Sequence, residues 1–72
     1  MNAHDATVEI ISESGLGIRQ LNRAGGNVER IIYHDGTPRT DTLARIADAC
    51  GYDLLLRRRD NLYEILIEPY DD

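Results

Sequence analysis

The sequence predicts a mainly α fold of four short helices followed by a C-terminal β-hairpin. Two observations carry this. Apolar residues between positions 5 and 50 recur at helical spacing, in runs separated by Gly15, Gly25-Gly26 and Asp35-Gly36-Thr37-Pro38. Beyond Gly51 the pattern changes to two short apolar runs around Arg59-Asp60-Asn61, which has turn character. With 72 residues the chain makes one domain. Residues 15 to 52 form its core and residues 53 to 68 its hairpin.

The first helix is expected from about Asp5 to Ser14. Val8, Ile10 and Ile11 supply its apolar face, acids near its start suit the helix dipole, and Gly15 ends it. The second runs from about Gly17 to Ala24, with Ile18 and Leu21 inward and Arg19, Gln20 and Arg23 outward. The third runs from Asn27, a good N-cap, to about His34. Val28, Ile31 and Ile32 share its buried face, which leaves Glu29, Arg30, Tyr33 and His34 outside. In the fourth, Thr40 or Asp41 caps the start. Leu43, Ile46, Ala47 and Cys50 form the stripe, and Gly51 closes the end.

Asp53 to Arg58 and Leu62 to Glu68 are the two expected strands. Tyr63, Ile65 and Ile67 lie on one face of the second strand, with Leu62, Glu64, Leu66 and Glu68 on the other. Pro69 stops it, because proline cannot donate to a ladder. Two isolated strands are marginal in water. The hairpin therefore needs cover, and Leu54, Leu56, Leu62, Tyr63, Ile65 and Ile67 are the expected interface of a homodimer.

Composition narrows the function. The net charge of -5 argues against indiscriminate nucleic-acid binding. The charge is uneven: residues 15 to 45 hold Arg19, Arg23, Arg30, Arg39 and Arg45 against Glu29, Asp35 and Asp41. Every positive side chain is arginine and none is lysine. The guanidinium fork matches phosphate and guanine edges, although GC-rich codon usage also enriches arginine. Cys50 is the only cysteine, so no intrachain disulfide forms, and it reads as an inert core residue. His4 and His34 have no surrounding metal-ligand or catalytic constellation. No enzyme activity, metal or cofactor is expected. No apolar run approaches the ~18 residues of a membrane span, and the N-terminal residues lack the pattern of a signal peptide. The expectation is a cytoplasmic protein that does not engage membranes.

Gly15-Leu16-Gly17-Ile18-Arg19-Gln20-Leu21 and Pro38-Arg39-Thr40-Asp41-Thr42-Leu43-Ala44-Arg45-Ile46-Ala47-Asp48-Ala49-Cys50-Gly51-Tyr52-Asp53-Leu54 resemble the second and fourth helices of the phage-repressor-like (Xre/Cro-type) helix-turn-helix family. The resemblance spans roughly residues 15 to 57. It implies a helix-turn-helix core and double-stranded DNA as partner. Arg19, Gln20 and Arg23 would then meet phosphates. Asn27, Glu29, Arg30, Tyr33 and His34 would form the exposed recognition face, with Arg39 and Thr40 holding phosphate at the fourth helix. The chain departs from the family where Val28 follows Gly26-Asn27 at once. That spacing removes about one turn from the start of the recognition helix. Two functions stay open: a dimeric repressor of phage or antitoxin type, and a module of the same fold that has lost DNA binding and holds a toxin or host protein.

Overall fold

The computed structural model describes residues 1–25, 28–33 and 36–69. Its elements are α1 (Ala3–Ser14), α2 (Ile18–Gly25), α3 (Val28–Tyr33), α4 (Thr40–Ala49), β1 (Leu54–Arg57) and β2 (Glu64–Ile67). The fold is mainly α, 55% helical, with one antiparallel hairpin. This is the expected architecture, with small shifts at the element ends.

Local chemistry sets those ends. α1 begins two residues earlier than the apolar pattern suggests, because the Asn2 side chain accepts from the Asp5 N–H at 2.7 Å. It ends at Gly15, whose φ of 72° is costly for any side chain with a Cβ. α4 starts without the expected threonine or aspartate cap. Arg39 occupies the N-cap position and makes no side-chain capping bond, and Thr40 is already helical. Its other end is a Schellman turn: Gly51 (φ 82°) donates to Asp48 O at 3.2 Å and Tyr52 to Ala47 O at 2.8 Å.

The core is small and wholly helical. Leu21 of α2, Val28 of α3 and Ile46 of α4 are completely buried, with Ile11 and Ile31 beside them. Val8, Ile10, Leu16, Ile18, Ile32 and Cys50 pack around this cluster. Thr7 of α1 is also fully buried, and its hydroxyl donates to the Ala3 carbonyl at 2.6 Å. A buried hydroxyl needs such a partner, and the i−4 carbonyl supplies it within the helix.

Polar contacts bind α1 to later parts of the chain. Nδ1 of His4 lies 2.9 Å from the Gly36 carbonyl and, as the N–H tautomer, donates to it. The Tyr52 hydroxyl donates to Glu13 Oε2 at 2.6 Å, joining the end of α4 to the end of α1. This hydrogen bond raises the Tyr52 pKa above its ordinary value, aided by desolvation and by the charges of Glu13, Glu9 and Cys50.

The hairpin pairs Leu54 with Ile67, Leu55 with Leu66, Leu56 with Ile65 and Arg57 with Glu64. Leu62 is not in the ladder: its φ of 62° makes it the left-handed residue of the connecting loop. Arg58 N–H donates to Tyr63 O at 2.8 Å, and Leu62 N–H returns to Arg58 O at 3.2 Å. The loop is further held by an Arg58–Asp60 ion pair at 2.8 Å and by Asn61 Oδ1 on the Tyr63 N–H. Of the expected strand Leu62–Glu68, the central part alone is paired.

Leu21→Ala and Ile46→Ala should each cost about 2–5 kcal/mol in urea unfolding. That is a large share of the stability of a chain this short, at about 0.05–0.15 kcal/mol per residue. Exposed Arg59→Ala should stay within about 0.5 kcal/mol. Tyr52 predicts a pH signature. Its folded pKa lies above the unfolded value of 10.0, so its contribution is complete below that pH. The contribution is lost as pH rises through the folded value. Phenolate absorbance should show Glu13→Gln lowering the Tyr52 midpoint; an unmoved midpoint would discard the pairing.

Candidate nucleic-acid interface

α2 and α3 pack against each other and across α4 and α1. Their buried positions are Leu21, Val28 and Ile31. Since helix neighbours share a face only at three- and four-residue spacing, the remaining positions turn outward. Arg19, Gln20, Arg23, Glu29, Arg30 and Tyr33 are all exposed, Tyr33 by 67%. Arg39 and Thr40 are exposed at the start of α4. Asn27 and His34, expected on the same face, lie outside the described residues.

The start of α3 is held by a residue that the sequence pattern does not single out. Asn22 Oδ1 on α2 accepts from the Val28 N–H at 3.0 Å. Val28 is the first residue of α3, so its N–H is one that a helix leaves without an intrahelical acceptor. Asparagine six residues before a helix is not a local capping pattern, and only the folding of α2 onto α3 brings the two together.

Other expected residues have additional roles. Gln20 Oε1 accepts from the Gly17 N–H at 2.9 Å, and the Gly17 carbonyl takes the Leu21 N–H at 3.1 Å. Gln20 therefore supplies half of a capping box for α2 through its carbonyl oxygen. The Gly36 N–H donates to the Arg30 carbonyl at 3.3 Å. A Cβ at Gly36 would stand 3.1 Å from that oxygen, so glycine permits the close approach. Arg39 Nε is 3.9 Å from Asp41, with the arginine side chain 88% exposed, a loose pair that leaves the guanidinium accessible.

The arginines of the middle segment do not all share one surface environment. Arg19, Arg23, Arg30 and Arg39 are exposed, whereas Arg45 is half-buried. It lines an open groove of about 650 Å³ between α4 and the hairpin, together with Asp48, Asp53, Leu54, Ile67 and Glu68. Arg45 belongs to an acidic groove and not to the basic face.

α3 is a six-residue helix. Among the described residues no cluster of three or more His, Cys, Asp or Glu side chains is placed to hold a metal, and no helix is long and apolar enough to cross a membrane.

The residues expected at a dimer interface divide into two groups. Leu54 and Ile67 are half-buried within their own chain, next to α4. Leu56, Leu62, Tyr63 and Ile65 are exposed, Leu56 by 62% and Ile65 by 51%. Leu55 and Leu66, on the opposite face of the hairpin, are exposed as well.

Asn22→Ala should destabilise the protein by about 1 kcal/mol and speed hydrogen exchange at the Val28 amide. Asn22→Asp, which keeps the acceptor, should restore protection. Equal exchange in all three proteins would show that the bond does not hold α3.

No protein-family model matches the chain, and no curated protein or solved structure shows significant similarity to it. The structure supports a compact bundle of four short helices compatible with a helix-turn-helix arrangement, at the level of the fold.

Proposed function

We propose that the chain is a sequence-specific DNA-binding transcriptional repressor, of phage or antitoxin type, acting as a homodimer. One observation carries this reading. α2 and α3 bury Leu21, Val28 and Ile31 and expose Arg19, Arg23, Glu29 and Arg30 on consecutive helices. Arginine on α2 suits phosphate oxygens, and Arg30 on α3 suits a guanine edge. Glu29 accepts from a cytosine amine or orients Arg30. Arg39 and Thr40 at the start of α4 add phosphate contacts. Two copies related by a two-fold axis would set their α3 helices about one DNA turn apart. In this reading the protein performs no catalysis and takes no cofactor.

The net charge of -5 favours a second reading. Here the same bundle holds a protein, a toxin or a host factor, and DNA is not its ligand.

An electrophoretic shift of the DNA upstream of the protein's own coding sequence, at two salt concentrations beside random DNA, tests the first reading. Specific binding should weaken steeply as salt rises. Arg30→Ala should cost about 1–3 kcal/mol and relax specificity, while Arg19→Ala should weaken all sequences alike and reduce the salt slope by about 1. Equal retention of specific and random DNA would sink the repressor reading in favour of the protein-binding one.

A further inference from the structure

We propose that two copies of this chain join edge to edge through β1, antiparallel about Leu55, into a four-stranded sheet closed at each end by an Asp53–Arg57 ion pair between subunits. The inference rests on the dimer clause of the reading above and is independent of DNA.

The hydrogen-bonding direction of the hairpin limits which edges can pair. Arg58 N–H points to Tyr63 O. In an antiparallel ladder the residues that exchange bonds alternate. Leu56 and Leu54 therefore direct their backbone groups at β2, as Arg58 does. Leu55, Arg57 and Asp53 direct theirs away from β2, along the outer edge of β1. The same alternation on β2 turns Glu64, Leu66 and Glu68 outward. Among the described residues the sheet has only these two strands, so each has an outer edge.

Charge then separates the two edges. Asp53-Leu54-Leu55-Leu56-Arg57 paired with itself about Leu55 sets Leu54 opposite Leu56 and Asp53 opposite Arg57, twice by symmetry. All three outward-directed pairs along this edge exchange backbone hydrogen bonds. Glu64-Ile65-Leu66-Ile67-Glu68 paired with itself about Leu66 sets Glu64 opposite Glu68, like against like. Opposite charges across strands stabilise a ladder and like charges oppose it. The β1 edge is thus self-complementary and the β2 edge self-repelling.

Pairing through β1 also covers the apolar residues that one chain leaves open. Leu54, Leu56, Ile65 and Ile67 share a sheet face. Leu54 and Ile67 are half-buried, whereas Leu56 and Ile65 are more than half exposed. In the paired sheet Leu56 stands beside the second copy's Leu54, at the end where that copy's α4 joins its β1. A two-stranded hairpin is marginal alone, and four strands with one continuous apolar face are not.

Sedimentation equilibrium over a range of protein concentrations tests this, with circular dichroism confirming that each variant is helical. Wild type should be dimeric. Arg57→Asp and Asp53→Arg should each weaken self-association by about tenfold or more, because each places like charges opposite one another. An equimolar mixture of the two single variants should recover a heterodimer, and so should the double variant Asp53→Arg/Arg57→Asp on its own. Glu68→Gln on the other strand should leave dimerisation intact. A monomeric wild type would overturn both this inference and the dimer of the repressor reading. A dimer indifferent to the charge exchanges, or a mixture that stays monomeric, would overturn the strand pairing alone. DNA binding is scored separately in the shift assay.

Discussion

Everything in this molecule depends on the burial of Leu21, Val28 and Ile46 against one another. Among the described residues no helix exceeds twelve residues. Helices of that length are marginal in water, since nucleation fixes several residues for each hydrogen bond gained. Each exists because one face is removed from solvent by the others. The core therefore produces the helices as much as the helices produce the core. A small loss at any of the three positions is felt at all of them.

The same constraint assigns the outer surface. Once α2 and α3 commit Leu21, Val28 and Ile31 inward, helical periodicity leaves Arg19, Arg23, Glu29 and Arg30 no place but solvent. Polar contacts then fix how the helices meet. Asn22 completes the start of α3, His4 holds Gly36 near α1, and Tyr52 ties the end of α4 to Glu13. Each lies between elements, so each reports packing and not local preference. The hairpin differs in kind. It adds no residue to the fully buried core, and its exposed leucines and Ile65 represent apolar area that the helices do not cover.

The resemblance to phage-repressor-like helix-turn-helix domains implies a helix-turn-helix core, and the four short helices are compatible with that arrangement at the level of the fold. The basic character of the middle segment is also narrower than the sequence suggests. Arg45 counts toward it along the chain but sits in a groove with Asp48, Asp53 and Glu68. Charge read along a sequence has no direction, and the side of α4 that faces the hairpin decides it.

The sequence by itself determined the number and order of the elements. Glycine at Gly15 and Gly51, the Asp35 to Pro38 turn cluster and the change of period after Gly51 are local signals that act wherever they occur. It also determined the apolar stripes, because Val28, Ile31 and Ile46 recur with the helical period. Only the tertiary structure decided what depends on one element meeting another. Asn22 capping α3, His4 on the Gly36 carbonyl and Tyr52 on Glu13 are of this kind. Their side chains suit several environments. Which one each occupies is set by the direction in which the packed helices point it, and no local pattern carries that direction.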